Sequence, residues 1–309
     1  MDEEDEWAAQ LIDNLEDLLE NGNGGDSSTL FVTGCYVRNH REFVDIDNKH
    51  VYEYMDDCVR KGPEMIVPRR SSASVTLPNG DFAVFGGTLG GRIPIELVCC
   101  EVCDVESNVF SFGGDMARQR EACAAVVLRS GLVLIVGGCD GYDWLDCCEI
   151  YNPTDKTFAP SNAKMRARRN YHTASLLPDG KVIVCGGRDG RKTHQTTEIY
   201  DPSTDSFSDG PFVKEKRSFH FAVTLFDNRV FLIGGGQDDV ASTEIYDPAA
   251  NSFSSGPKTA ARRAIDFIHR LPDGRVLINH SNVFPPDIAT EIYDPKTNSF
   301  SPSNPISRR

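Results

Sequence analysis

The chain has 309 residues and carries 32 Lys and Arg against 46 Asp and Glu, a formal charge of −14. That surplus of acid disfavours general nucleic-acid binding, because neutralising phosphates needs excess Lys and Arg. No run of about eighteen apolar residues occurs, so no membrane-crossing helix is expected, and the length can bury a substantial core without disulfides.

The first predicted element is an amphipathic helix over residues 3–20, with Trp7, Leu11, Leu15, Leu18 and Leu19 on one face. Asn21-Gly22-Asn23-Gly24-Gly25 ends it as a flexible linker. Residues 1–26 hold ten acids and no Lys or Arg, which leaves the rest of the chain at −4. The helix is expected to pack on the body, to dock a second partner, or to compete for a basic surface. The acidic start is the reverse of a basic signal peptide. The Asn-x-Ser/Thr match at Asn152-Pro153-Thr154 is disqualified by its proline. Ten cysteines in a chain this long do not make a small-scaffold disulfide pattern. Together these point to the cytosol and leave the nucleus open.

The remainder repeats itself. Glu-Ile-Tyr occurs at Glu149, Glu198, Glu244 and Glu291, with a weaker Glu-Val-Cys at Glu101. A Phe stands nine residues after each Glu: Phe110, Phe158, Phe207, Phe253 and Phe300. Asn152-Pro153, Asp201-Pro202, Asp247-Pro248 and Asp294-Pro295 lie between, as turn signals. Upstream, four apolar runs end in Gly86-Gly87, Gly137-Gly138, Gly186-Gly187 and Gly234-Gly235, while the fifth copy has Asn279-His280. Before each run stands a hairpin signal such as Pro78-Asn79-Gly80 or Pro178-Asp179-Gly180. Each unit reads as four short strands, a to d. One such sheet cannot bury both faces, whereas several arranged radially can.

At a mean spacing of 47.5 residues, the stretch 29–309 holds about 5.9 units. Residues 67–305 contain five clear ones. A sixth, degenerate unit is expected in residues 29–66, with Phe31–Cys35 as strand b, Val44–Asp47 and Val51–Tyr54 as c and d, and Gly62-Pro63 after them. The expected fold is an all-β, six-bladed propeller with one blade short of a strand, preceded by the helix and linker of residues 1–28.

The pattern Leu-Pro-Asp-Gly-x-Val-x-Val-x-Gly-Gly followed by Glu-Ile-Tyr-Asp-Pro resembles the kelch repeat, clearly over residues 67–305 and weakly over 29–66. The sequence departs from that family in using Phe on strand d where many members have Trp. The resemblance implies a β-propeller that acts as a protein-interaction module, with a propeller that binds or processes a carbohydrate or small ligand in its central opening as the alternative.

Alternating strand directions bring the b–c loops and the d–a crossovers to one end. That end is basic. One Arg recurs before strand a at Arg70, Arg120, Arg169, Arg217, Arg263 and Arg309, and a second base precedes it at Arg69, Arg168, Lys216, Arg262 and Arg308. Guanidinium groups clasp carboxylates with paired hydrogen bonds, so a ring of them suits an acidic segment of a protein partner. A repeated Arg can equally pair with the repeated Glu. The resemblance implies peptide contacts for Arg70, Arg120, Arg169, Arg217 and Arg263, and for Arg188 after its glycine pair. Arg69, Arg168 and Arg262 are the expected exposed contacts. Tyr142 and Trp144, in the b–c loop 139–146, are interface-anchor types beside these bases.

Cys123, His172, His220 and Asp266 share one register, three residues past the Arg, but radial spread separates them too far for one metal ion. Cys100-x-x-Cys103 alternates faces along a strand and makes a poor zinc clip. Gly190-Arg191-Lys192-Thr193 lacks phosphate-loop spacing, and Gly-x-Ser-x-Gly and His-Glu-x-x-His do not occur. No catalytic residue, metal or cofactor is nominated, and the sequence assigns no oligomeric state.

Overall fold

The second strand of four successive repeats is apolar at every position, and all four are buried throughout. A strand covered on both faces belongs between neighbouring sheets, which radially packed blades provide. The computed structural model describes residues 30–33, 50–55, 58–89, 94–190, 192–236, 241–260, 265–280 and 290–302.

Residues 30–64 contribute a three-stranded antiparallel sheet, β1 (Leu30–Thr33), β2 (His50–Met55) and β3 (Cys58–Glu64), in that order. Five four-stranded antiparallel blades follow. Blade one is β4 (Ala73–Thr76), β5 (Phe82–Phe85), β8 (Cys99–Asp104) and β9 (Val109–Asp115). Its b–c loop carries a small hairpin, β6 (Thr88–Leu89) with β7 (Ile95–Glu96). Blade two is β10 (Ala124–Val127), β11 (Val133–Val136), β12 (Cys147–Asn152) and β13 (Thr157–Lys164). Blade three is β14 (Thr173–Leu176), β15 (Val182–Cys185), β16 (Thr197–Asp201) and β17 (Ser206–Asp209). Blade four is β18 (Phe221–Thr224), β19 (Val230–Ile233), β20 (Thr243–Asp247) and β21 (Ser252–Ser255). Blade five is β22 (Ile265–Arg270), β23 (Val276–His280), β24 (Thr290–Asp294) and β25 (Ser299–Pro302).

The expected count of six blades is therefore corrected to five four-stranded blades. The three-stranded sheet lacks a strand a among the described residues, and its register differs from the expectation. Val51–Tyr54 lies in its middle strand, and Gly62-Pro63 lies inside β3 rather than beyond the last strand. β3 packs beside β9, as β9 packs beside β13 and β13 beside β17, so it stands in line with the outer strands. The expected helix and its linker lie outside the described residues, and no helix occurs within them.

Three repeated residues explain the c–d hairpins. The Asp of Asp-Pro accepts the backbone N–H two residues on, as Asp201 does from Ser203 at 2.9 Å and Asp294 from Lys296 at 2.8 Å, which is the turn chemistry these side chains favour. The repeated Tyr donates to a left-handed turn residue: Tyr200 to Asp205, Tyr246 to Asn251 and Tyr293 to Asn298, at 2.9–3.0 Å. Lys156 holds that place in blade two, and the Tyr151 hydroxyl turns instead to the Cys100 thiol. The repeated Phe packs on the same Tyr, with ring centroids 4.8–5.4 Å apart in blades two to five. Between blades, apolar side chains join in shared clusters, such as Leu134 and Val136 with Val182, Val184 and Tyr200.

Candidate functional site

The arginine before each strand a is the first thing the crossover end builds. Arg69, Arg120, Arg169 and Arg217 are all buried, each ion-paired to the Glu of its own blade: Glu101, Glu149 at 3.0 Å, Glu198 at 2.9 Å and Glu244 at 2.7 Å. The guanidinium also donates to the carbonyl of the first glycine of the pair, as Arg169 does to Gly186 at 2.7 Å. The glutamate accepts backbone N–H groups of the incoming crossover, such as those of Arg166 and Ala167 on Glu198. Meanwhile the arginine's own carbonyl accepts from the second glycine of the preceding blade. Gly87 donates to Arg120, Gly138 to Arg169 and Gly187 to Arg217, each at 2.8 Å. One residue thus fastens two blades. The glycines are required by that approach: a Cβ on Gly137 would lie 2.6 Å from the Arg169 oxygen.

This arrangement gives the repeated arginine a structural job. It also moves the register in blade one. Arg69, expected as an exposed contact, is the buried member paired to Glu101. Arg70, expected in the ring, is half-buried and bridges Thr88 through its backbone in both directions at 2.9 Å. The two bases of this crossover stand one place further on than those of blades three and four: Pro68 stands where Arg168 and Lys216 stand. Arg262 and Arg263 lie outside the described residues, as do Arg308 and Arg309. In blade five, His280 occupies the first-glycine position and pairs its Nε2 with Glu291 at 2.9 Å, both groups buried.

What remains exposed at this end comes from the loops. Asp140 folds the 139–146 loop by accepting the N–H groups of Tyr142 and Asp143 and the Arg118 guanidinium at 2.6 Å. Trp144 lies half-buried over the next blade's loop, where a Cβ on Gly190 would meet its ring. The loop is therefore fixed at both sides, and it holds Tyr142 out at 92% exposure. Arg168 is exposed and pairs with Asp143 of this loop at 3.2 Å. Arg188 is half-buried, paired through its backbone to Asn170, with its guanidinium on the Gly190 carbonyl at 3.3 Å. Tyr142, Trp144, Arg168 and Arg188 thus belong to one loop cluster of blades two and three, whereas Arg69, Arg120, Arg169 and Arg217 are buried, each within its own blade.

Sequence reasoning passed over the residues at the mouth of the propeller axis. Two positions past each buried arginine stand Ser71, Ala122, Tyr171 and Phe219, all at positive φ of 51–57°. They link blade to blade: Ala122 N–H donates to Ser71, Tyr171 to Ala122 and Phe219 to Tyr171, at 2.8–3.1 Å. Tyr171 and Phe219 stack with centroids 3.7 Å apart, and the Tyr171 hydroxyl donates to Glu121 at 3.0 Å. The signal was available, since the position recurs at a fixed offset from the arginine.

Beneath the mouth, Cys123, His172 and His220 are buried against the glycine pairs. Burial and the Arg169 guanidinium push the His172 imidazole down to about 3, and burial and Arg217 hold His220 well below the ordinary histidine range. Burial pushes the Cys123 thiol up to about 11. These are neutral packing groups. Among the described residues no three His, Cys, Asp or Glu side chains converge as a metal site, and the eight cysteines whose side chains are described form no disulfide. Asp266 has no described side chain.

The fold defines a β-propeller of four-stranded blades. Residues 122–161 and 169–211 match the Kelch motif, so two of the blades, the second and third, carry kelch repeats. No curated protein matches it by sequence. Among solved structures it is similar to one titled "Structure of YjhT", with a TM-score of 0.59 and 13% identity over 71% of this chain and 74% of that one. At that identity the likeness is one of fold.

Proposed function

We propose that this propeller is a non-enzymatic protein-binding module whose partner docks on the loop cluster of blades two and three. The observation that carries the reading is the 139–146 loop. It is pinned by Asp140, Arg118 and Trp144, yet it leaves a whole tyrosine side chain in solvent. A rigid aromatic costs little entropy to immobilise and commonly anchors an interface. The bases around it favour acidic residues in the partner. The Arg168–Asp143 pair is more than half exposed on both sides, and such pairs contribute only about 0–1 kcal/mol, so a partner carboxylate can take over the guanidinium. The buried arginine ring offers no such contact, which moves the proposed acidic contacts outward to Arg168 and Lys192.

A random peptide library selected on the full chain tests this. Peptides bearing an aromatic or apolar residue near acids are expected, with affinity falling at higher salt. Tyr142→Ala and Arg168→Glu should each weaken them about tenfold or more, the scale of an interface hot spot. Selected peptides that bind both variants as well as the native chain would overturn the reading.

A further inference from the structure

Acids at this end are mostly matched. Arginines take Glu101, Glu149, Glu198 and Glu244, Arg118 takes Asp140, and Arg168 takes Asp143. Glu121 and Glu96 are different: among the described residues neither has a cationic partner. Glu121 is half-buried beside the axis mouth, held by the Tyr171 hydroxyl. Burial raises its carboxyl above the usual range, and the nearby Glu96 charge adds to that. Glu96 reaches across from β7 to the loop of blade two, where a Cβ on Gly141 would lie 2.5 Å from its carboxylate. Two carboxylates from two blades therefore lie close enough to repel each other.

Next to them is the aromatic stack. Phe219 remains 40% exposed while stacked on Tyr171. Both rings are carried on left-handed backbone, which bulky residues rarely adopt. The interblade hydrogen bonds at these positions hold the rings over the mouth.

We infer that the axis mouth receives one cationic side chain of the protein partner, an arginine or lysine, lying against the Tyr171–Phe219 stack and paired with Glu121. The inference rests on the protein-binding reading and adds the charge at the centre of the partner segment. Charge complementarity selects this occupant. The aromatic faces are negative at their centres and attract cations, and both carboxylates do the same. A guanidinium suits the place better than an ammonium, since it is flat enough to stack and forked enough to bind a carboxylate twice. A carboxylate in the same place would meet two like charges. The partner segment is thus a central cation flanked by acids that face Arg168 and Lys192.

The probe is N-acetyl-arginine amide, titrated into the full chain and followed by saturation-transfer NMR, with N-acetyl-citrulline amide and N-acetyl-glutamate amide as controls. Saturable binding of the arginine compound alone is expected. Glu121→Gln should weaken it at least tenfold, and Phe219→Asn, which keeps a residue tolerant of positive φ, should abolish it. Melting curves establish that both variants are folded. No saturable binding, equal binding of citrulline, or unchanged binding by folded Glu121→Gln would overturn the inference. If the arginine probe fails while selected peptides still depend on Tyr142 and Arg168, the central cation falls alone. If those peptides also lose their dependence, the protein-binding reading falls as well.

Discussion

At the scale of single residues, the decisive contrast is between adjacent arginines. Arg168 and Arg169 are neighbours in sequence, yet one is exposed and the other buried with its carboxylate. Removing one partner of a buried pair strands the other charge, at a cost of about 3–5 kcal/mol. Arg169→Ala and Glu198→Ala should each lower unfolding free energy by that amount in urea, while Arg168→Ala should change it by less than about 1 kcal/mol. Equal effects of Arg168→Ala and Arg169→Ala would contradict the assignment. The histidines give a second, pH-dependent prediction. A native imidazole held down to about 3 stays neutral where the unfolded chain, at 6.5, takes up a proton. The unfolded state then binds more protons, so stability falls as pH drops below 6.5, by about 1.4 kcal/mol per pH unit for each such histidine. His220 acts in the same direction. The double variant His172→Gln/His220→Gln should show a shallower loss of stability between pH 7 and pH 5 than the native chain. An unchanged slope would mean that other groups govern it.

At the scale of elements, the glycines separate by their surroundings. Gly131 and Gly137 both have positive φ, but a Cβ on Gly131 would meet nothing nearer than 3.6 Å, while one on Gly137 would meet the Arg169 oxygen and the His172 ring at 2.6 Å. Gly131→Ala should cost about 1–2 kcal/mol, the price of left-handed backbone. Gly137→Ala should cost at least about 2 kcal/mol more, the scale of overpacking a filled site, read from the same urea titrations. These elements were legible because each carries its own signal: alternating turns, an apolar second strand, a glycine pair and a Glu-Ile-Tyr at fixed offsets. The one-residue slip at Arg69 was legible too: Arg69 stands 17 residues before Gly86, as Arg120, Arg169 and Arg217 stand 17 before their first glycines. Two things were not legible. The burial of the ring depended on a pairing within a blade, which residue types alone leave open. The sheet of residues 30–64 lacks the Gly-Gly and Glu-Ile-Tyr markers, so its strands could be counted but not placed.

At the scale of the molecule, the arginines tie blades in series. Blades one to four should therefore unfold together, because loosening one crossover removes a carbonyl from the blade before it and an ion pair from the blade after it. In a Trp7→Phe background, the fluorescence of Trp144 and the far-ultraviolet circular dichroism should report one coincident transition. A clearly earlier change in fluorescence would show that blade two opens by itself.

The double engagement of Arg120, Arg169 and Arg217 also bears on how such a chain can grow or be divided. The genetic repeat runs from strand a to strand d, but the mechanical link runs from one crossover into both flanking sheets. Sequence period and cohesive unit are therefore out of phase. A duplication or excision that is not a whole number of periods would leave a glutamate without its arginine, or a glycine N–H without its carbonyl. One whose ends fall in the exposed c–d turns, beyond Asp201-Pro202 or Asp247-Pro248, keeps every fastening whole. Lineages that gain or lose blades should show their breakpoints there.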